Sequence, residues 1–452
     1  MGYLAPLRLA PWVAATRERL RFGLYAAHLL TLFGIALSNI ALGVAVLAFP
    51  ALRDPADAVY RRARPLLVAA LIYAGLLVVA VLFSQNLATS FGGLRELFTL
   101  AALPLALGSI AGERRLRWLF DAAICAAMLA ALAGLGQFWF GFGGLDRRIR
   151  GPFPHVMTFA GVLLLVDILL VARLMFRPPM AGGDRRGWRG WPAWKEWRGR
   201  GDQGVLGQPW LAWTALVVIN LALFGSLTRN AWLGLVVGGG WLLWMRRRRL
   251  VFLALPAALA FVVVAPVQIL ARALSVTNLS DGSTYDRLCM LEAGSRMVAE
   301  HPLFGIGPNM VERLYPIYRH ASAARLNVPH LHDSYAQLAA ERGLPALASY
   351  LALLAVALVR ARKGYRSDLG ALAATSAGGP RADLWLGVTA ALLAFSVAGL
   401  FENNWGDTEV QRIVLLLLAA PFCLRVGERS EHAPTPATAE TPETPEIAEE
   451  GT

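Results

Sequence analysis

Long apolar runs separated by short arginine-rich segments make up most of the chain. The runs are 14 to 28 residues long, around the length of about 20 residues that a helix needs to span a lipid bilayer. The first run holds two short spans with a turn at Ser38-Asn39, and the full series is 22–49, 66–83, 97–110, 119–140, 162–175, 210–227, 232–245, 251–270, 334–358, 384–401 and 410–424. The pattern predicts an all-α, polytopic integral membrane protein with about twelve transmembrane helices.

Basic residues are concentrated at alternate ends of these runs, for example in 246–249 and 360–366. Because Lys and Arg accumulate in cytoplasmic loops, this alternation predicts that both termini lie in the cytoplasm. The formal charge of +13 therefore reflects topology, and we do not expect a nucleic-acid partner. With 56% hydrophobic and 16% charged residues, the composition excludes an ordinary soluble domain. Three widely spaced cysteines predict neither a disulfide framework nor a cysteine-rich metal site.

Four regions follow from this pattern. We predict transmembrane helices in 1–270 (about nine spans), a periplasmic loop domain in 271–333, further transmembrane helices in 334–427 (about three spans), and a disordered cytoplasmic tail in 428–452, which is rich in Pro, Thr and Glu. The segment 177–208, rich in Gly, Trp and Arg, is typical of chain that contacts membrane lipids.

The long loop has internal structure of its own. Apolar residues in 283–300 (Leu288, Leu291, Met297 and Val298) predict an amphipathic helix. After the loop, Gly343 and Pro345 predict a kink near the start of the next span.

Charged side chains of the predicted outer face define the candidate chemistry. Arg150, Arg229 and Arg287 come from three separate segments, and His332 ends the long loop. Guanidinium groups bind phosphate oxygens in bidentate geometry, and histidine accepts a proton near neutral pH. Asp333 is placed to cap the following helix and fix the backbone beside His332. Together they predict a lipid-diphosphate site beside a proton acceptor, although each arginine alone fits a contact with lipid headgroups.

Five short elements in this order resemble the O-antigen ligase and polymerase superfamily of bacterial membrane glycosyltransferases. They are Arg150 to His155 (RGPFPH), Ser226 to Trp232 (SLTRNAW), Glu300 to Pro308 (EHPLFGIGP), His330 to Gly343 (HLHDSYAQLAAERG) and Phe401 to Asp407 (FENNWGD). Asp333 stands where many members have Asn, and Asn230 where Gly is common. The last element favours the ligase-like branch.

The resemblance implies an enzyme of the bacterial inner membrane with its active site on the periplasmic side. The donor would be a glycan linked to undecaprenyl diphosphate, and the acceptor a sugar hydroxyl of lipid A-core or of another glycan. His332 would act as the general base, and Arg150, Arg229 and Arg287 would hold the diphosphate. His330, Asp333, His155 and Glu402 are possible supporting residues. The resemblance implies no cofactor and no metal.

Three alternatives remain open at this stage. A polymerase of the same superfamily would differ mainly in its acceptor. A multispan polysaccharide or lipid transporter, which is not an enzyme, would use polar residues in mid-membrane, for which His28, Asp121 and Asp167 are candidates. A membrane scaffold would leave the outer arginines unexplained.

Overall fold

The computed structural model describes residues 11–31, 34–52, 58–141, 148–176, 206, 209–253, 282–374 and 381–424. Within these ranges the protein is all-helical and has no strands. The helices, numbered in chain order, are α1 (Pro11–Leu30), α2 (Ile35–Leu52), α3 (Ala58–Arg62), α4 (Arg64–Leu82), α5 (Leu87–Phe91), α6 (Arg95–Leu100), α7 (Ala102–Ser109), α8 (Gly112–Trp139), α9 (Val156–Phe176), α10 (Pro209–Gly225), α11 (Arg229–Arg246), α12 (Gly282–Glu300), α13 (Val311–Tyr318), α14 (Ser334–Ala374), α15 (Ala382–Ala398) and α16 (Thr408–Cys423).

Six helical segments in the described ranges are long and apolar enough to cross a membrane, and two shorter apolar helices, 210–225 and 382–398, accompany them. The class of multi-pass helical membrane protein is thus supported, while the predicted total of about twelve spans is not confirmed. Most of the predicted span 251–270 lies outside the described residues.

The predicted turn at Ser38-Asn39 is wrong. α1 ends at Leu30, and α2 begins at Ile35 and continues through both residues. The Ser38 hydroxyl lies 2.8 Å from Nδ1 of His28 and donates to the His28 carbonyl at 2.9 Å. A serine in an apolar helix is satisfied by such contacts, so it does not need to mark a turn.

α9 lies at the centre of the bundle and is buried on nearly all of its faces. It packs against α8, α10, α11, α15 and α16. A helix that is apolar all round is suited to this central position, because every face meets another helix.

The ends of the bundle differ in chemistry. The end that carries segments 148–155, 226–229, 328–334 and 399–407, which we name the loop end, holds the candidate site residues. Two backbone hydrogen bonds join these segments: the amide of Ile149 donates to Gly225 (3.2 Å), and that of Ser334 donates to Gly399 (2.8 Å). The basic residues of 114–117, 246–249 and 360–366 belong to the opposite helix ends.

A second, smaller core forms at the loop end from Met290, Ala293, Met297, Ile306, Met310, Val311, Tyr315, Tyr318, Val328, Leu331 and Ala340. The predicted helix over 283–300 is confirmed as α12, but its buried face is centred on Met290, Ala293 and Met297. Leu288 and Leu291, which we expected to be on that face, are 47% and 39% exposed. The spacing of apolar residues along α12 is compatible with burial of either set of side chains. The position of α13 and of segment 328–331 determines which set is buried.

The turn over 302–309 inserts into a break in α14. Gly343 has non-helical dihedral angles (φ 83°, ψ 168°), which confirms the predicted kink. The amides of Ile306 and Gly307 donate to the carbonyls of Ala340 (2.9 Å) and Glu341 (3.0 Å). A Cβ atom at Gly343 would lie 2.1 Å from the carbonyl oxygen of Leu303, so only glycine permits this close approach.

The sidedness of the membrane insertion gives a first testable prediction. Reporter fusions placed after Arg249 and after Arg366 are expected to report the cytoplasm, because the basic residues precede them. A fusion within 321–327, beside the small core, is expected to report the periplasm. A cytoplasmic signal from this third fusion would put the loop end on the wrong side for the predicted chemistry.

Candidate active site

His332 occupies an unusual backbone conformation at the start of α14. Its φ is +51°, and it is one of three residues other than glycine with a positive φ in the described part of the chain. The Gln337 side chain holds the preceding segment by accepting from the Leu331 amide at 2.9 Å, and the Ser334 amide is held by Gly399 at 2.8 Å. A strained backbone that is fixed by its surroundings is typical of a functional residue.

Asp333 caps α14, as the sequence predicts. Its Oδ1 accepts hydrogen bonds from the amides of Tyr335 and Ala336, both at 2.8 Å. Burial raises the pKa of the Asp333 carboxyl, and the two amide bonds oppose this shift. The described contacts of Asp333 therefore serve the helix start and the backbone next to His332.

Glu402 lies directly beside His332, although 70 positions separate the two residues in the chain. Nδ1 of His332 is 3.0 Å and 3.1 Å from the two carboxylate oxygens of Glu402. Burial acts to raise the pKa of Glu402, but the hydrogen bond from His332 and the charge interactions with His332 and His330 outweigh it, so the pKa is lowered. Since an ionised carboxylate only accepts, His332 carries its ring proton on Nδ1. The lone pair of Nε2 is then available to accept a proton.

The turn that carries Glu402 is fixed to the start of α14. The Ser334 hydroxyl donates to the Glu402 carbonyl at 3.0 Å, and the Asn403 amide donates to Oε1 of Glu402 at 3.1 Å. The Glu402 side chain is only 4% exposed, whereas that of His332 is 19% exposed. The carboxylate is thus buried behind an imidazole that reaches the surface of the site.

His330 is the third member of this group. Its ring centroid is 4.2 Å from that of His332, and its Nδ1 is 3.7 Å from Oε1 of Glu402. Burial lowers the pKa of His330 to about 4, with smaller contributions in the same direction from His332, His155 and Arg287, while Glu402 opposes them. His330 is therefore neutral at pH 7. The electrostatic contributions of His155 and Arg287 also show that both side chains lie near it.

The ligand atoms of His330, His332 and Glu402 all lie within 4.8 Å of one another. Two imidazoles and a carboxylate are a common ligand set for transition metals. The resemblance implied no metal here, and nothing in the chain order indicates that Glu402 meets both histidines.

The three predicted arginines come to the loop end from different elements. Arg229 begins α11 two residues after Leu227, whose φ is positive (52°), and Arg287 lies on α12; both are half-buried. Arg150 is exposed, and its guanidinium donates to the Pro154 carbonyl at 3.2 Å.

Arg148 has a different role from its neighbour Arg150. Its Nε donates to the Ser226 carbonyl at 2.9 Å, and its Nη2 donates to the Thr228 hydroxyl at 3.1 Å. Arg148 therefore holds segment 148–155 against the start of α11 and positions Arg229.

Sequence reasoning missed a buried polar cluster behind Glu402. Glu96 on α6 pairs with Arg342 on α14, with 2.5 Å between Oε2 and Nη2. Tyr73 and Trp405 both donate to Oε1 of Glu96, at 2.7 Å and 2.8 Å, and Arg342 also bonds the Tyr73 hydroxyl. Trp405 lies in the same turn as Glu402, so the cluster fixes that turn to α4, α6 and α14. The signal in the sequence was present, since Arg342 and Trp405 both fall in the motifs, but neither was assigned a partner.

Asp407 is a second carboxyl group near Glu402. Burial raises its pKa to about 7, the charges of Glu402 and Glu409 add to the shift, and a hydrogen bond with Thr158 opposes it. Asp407 therefore carries a proton in a large fraction of molecules at neutral pH, and it can donate a hydrogen bond that Glu402 cannot.

The buried cluster gives a stability prediction. Glu96→Ala is expected to destabilise the protein by about 3–5 kcal/mol, because it leaves the Arg342 cation buried without its carboxylate. The measurement is thermal unfolding of the purified protein in detergent. Glu292→Ala is the matched control, since Glu292 forms an ion pair with Arg296 in which both side chains are more than 40% exposed. Equal melting temperatures for the two variants would contradict the proposed importance of the cluster.

The residues that a transporter would need in mid-membrane have partners on neighbouring helices. His28 contacts Ser38 on α2, Asp121 pairs with Arg173 on α9, and Asp167 accepts a hydrogen bond from Asn220 on α10 at 2.9 Å. Each contact joins two adjacent helices, which is a structural role.

Taken together, these observations define a multi-pass helical membrane protein with a histidine–carboxylate site at one end of its bundle. The sequence model of one family, O-antigen ligase, matches residues 214–351, which contain Arg229, Arg287, His330 and His332. This match covers less than a third of the chain and supports the resemblance to the O-antigen ligase superfamily that the motifs predicted. This is a family of glycosyltransferase-like membrane enzymes. No curated protein matches the chain. Arg150, His155 and Glu402 lie outside the matched segment.

Proposed function

We propose that this protein is a ligase-like glycosyltransferase of the bacterial inner membrane. It transfers a glycan from undecaprenyl diphosphate to a sugar hydroxyl of lipid A-core on the periplasmic side, without a metal. The observation that carries the proposal is the pairing of His332 Nδ1 with the buried carboxylate of Glu402, which leaves Nε2 as a proton acceptor. The regions 1–270 and 334–427 would form the membrane domain, and 271–333 the periplasmic loop domain.

The transfer is a single inverting displacement. The acceptor hydroxyl gives its proton to Nε2 of His332, and its oxygen forms a bond to the anomeric carbon of the donor. The bond from that carbon to the diphosphate oxygen breaks, and its electron pair leaves with the diphosphate. Glu402 stabilises the imidazolium that forms, in the way that a buried carboxylate supports histidine in other general-base sites.

The leaving group accumulates negative charge, and arginines are suited to stabilise it. Arg287 supports this assignment because it lies near His330 and therefore near the proposed base. Arg229 supports it through its place at the start of α11, where the helix N-terminus also favours an anion. Fixed donors aimed at developing charge are a major source of catalysis.

The function is tested by expression in a bacterial strain that lacks its own O-antigen ligase. Glycan-decorated lipopolysaccharide on a gel is the expected result, and the His332→Ala variant is the negative control. A parallel strain that lacks its O-antigen polymerase tests the alternative acceptor, another glycan. Chain extension in that strain, with no decoration in the first, would replace the ligase proposal with a polymerase.

The arginines give a prediction that separates phosphate binding from simple charge. Arg229→Lys and Arg287→Lys keep the charge but lose the planar fork, so each is expected to reduce transfer at least about tenfold at unchanged protein level. A quantitative transfer assay measures the loss. Arg150→Lys is expected to have a smaller effect, because Arg150 is exposed.

Arg248→Lys is the matched control for this series. Arg248 is exposed at the opposite end of the bundle, where its guanidinium lies 5.2 Å from the ring centroid of Trp244, and it should tolerate lysine. If the Arg229 and Arg287 variants were as active as this control, the proposed diphosphate contacts would be wrong.

A further inference from the structure

The group formed by His330, His332 and Glu402, which we name the HHE cluster, has the geometry of a metal site. Nδ1 of His332 and Nδ1 of His330 lie 3.0 Å and 3.7 Å from Oε1 of Glu402. In a tetrahedral site with Zn–N and Zn–O bonds of about 2.0–2.1 Å, neighbouring ligand atoms are about 3.3 Å apart. These two separations lie on either side of this value, and all three ligand atoms lie within 4.8 Å of one another, so movement of the side chains alone would bring them to a common metal ion.

The orientation of the HHE cluster also favours metal binding. Nδ1 of His330 accepts a long hydrogen bond (3.3 Å) from the His332 amide, so this nitrogen is unprotonated and carries the lone pair that a metal ion could take in place of the amide. Glu402 is held by Ser334 and Asn403, and His332 by the strained turn. Ligands that are already fixed lose little conformational entropy on binding. The two imidazole side chains are 30% and 19% exposed, which leaves access for an ion and for a fourth ligand from solvent.

The ligand set indicates which ions would bind. Two neutral imidazoles with one carboxylate suit borderline divalent cations such as Zn²⁺, whereas Mg²⁺ and Ca²⁺ prefer oxygen ligands alone. The His28, Asp121 and Asp167 contacts offer at most one imidazole each, so the HHE cluster is the best candidate among these described polar groups.

We propose that the HHE cluster binds one Zn²⁺-like divalent cation and that this binding inhibits the enzyme. The inhibition rests on the proposed function, in which Nε2 of His332 accepts a proton. A neutral imidazole has one ring lone pair. When the metal takes it at Nδ1, the ring proton resides on Nε2, and no lone pair remains for the acceptor proton. The metal also occupies Glu402, so the metal-bound and active forms of the site exclude each other.

Binding is tested directly on the full chain, purified in detergent without a polyhistidine tag. Calorimetric titration with Zn²⁺ alone is expected to show one site per chain. His330→Ala is expected to weaken this binding by more than about tenfold, since the loss of even an outer-shell partner typically weakens metal binding about 10–100-fold. His320→Ala is the matched control, because the His320 ring is hydrogen-bonded to Ser322, outside the HHE cluster.

Two results of the titration would overturn the metal site: no uptake of Zn²⁺ by the wild-type chain, or equal affinity in the His330 and His320 variants. Thermal unfolding shows whether the His330 variant is folded. If it is not, Co²⁺ in the wild-type chain serves instead. The absorption bands of tetrahedral Co²⁺ are expected, and their absence would overturn the site equally.

Activity provides the second arm of the test. In the transfer assay, Zn²⁺ is expected to inhibit the wild-type protein, and a chelator is expected to restore its activity. Full activity with saturated Zn²⁺ would overturn the inhibition and leave the proposed function intact. A chain that transfers no glycan under any condition would instead contradict the proposed function, and the titration would still decide whether the cation binds.

Discussion

His332→Ala is expected to abolish glycan transfer while expression and membrane insertion remain normal. In the pair formed by His332 and Glu402, the imidazole is the side chain that reaches the surface of the site, and the variant removes it. General-base assistance is typically worth about 10²–10⁴ in rate. The measurement is a quantitative assay of glycan transfer by the purified protein. Near-normal activity would contradict the assignment of His332 as the base.

His330→Ala is the informative comparison, since the two imidazoles are neighbours. A smaller loss is expected, because His330 lies too far from Glu402 (3.7 Å) for a hydrogen bond and its Nδ1 already accepts from the His332 amide. Its pKa of about 4 also makes it a weak base at neutral pH. If the His330 variant were the more damaged of the two, the roles of the histidines would have to be exchanged.

Glu402→Gln is expected to reduce kcat by at least about a hundredfold with little change in KM, because the substitution keeps the size of the side chain but removes its charge. The new amide can donate to Nδ1 of His332, which moves the ring proton to Nε2 and blocks proton acceptance. Steady-state kinetics of glycan transfer measure the effect.

Glu312→Gln is the matched control, since Glu312 is an exposed carboxylate in the first turn of α13. It should change kcat by less than about twofold, because exposed substitutions away from special contacts usually cost under about 0.5 kcal/mol. Equal kinetics for the two variants would show that the Glu402 carboxylate does not support His332.

Local patterns in the sequence predicted several features of the fold correctly. Gly343 was identified as a kink, and its positive φ confirms this. Asp333 was identified as a cap, and its carboxylate accepts two amide hydrogen bonds at the start of α14. These features depend on residues within a few positions of one another, so the chain order contains the necessary information.

The prediction of local structure failed where the neighbouring residues were compatible with two different structures. Ser38-Asn39 fitted both a turn and a buried helix segment, and the contact of Ser38 with His28 decided for the helix. On α12, Leu288 and Leu291 fitted a buried face as well as Met290 and Ala293 did, and only the position of α13 and segment 328–331 chose between them.

By itself, the sequence predicted an all-helical membrane protein, the order of its helices, and the resemblance to the O-antigen ligase superfamily that the family match supports, because apolar runs and short motifs are properties of contiguous residues. The tertiary structure alone decided that Glu402 meets His332 and His330. That pairing depends on the packing of the start of α14 against the end of α15, through Ser334 and Gly399, and side chains 70 positions apart are brought together only when those helix ends meet.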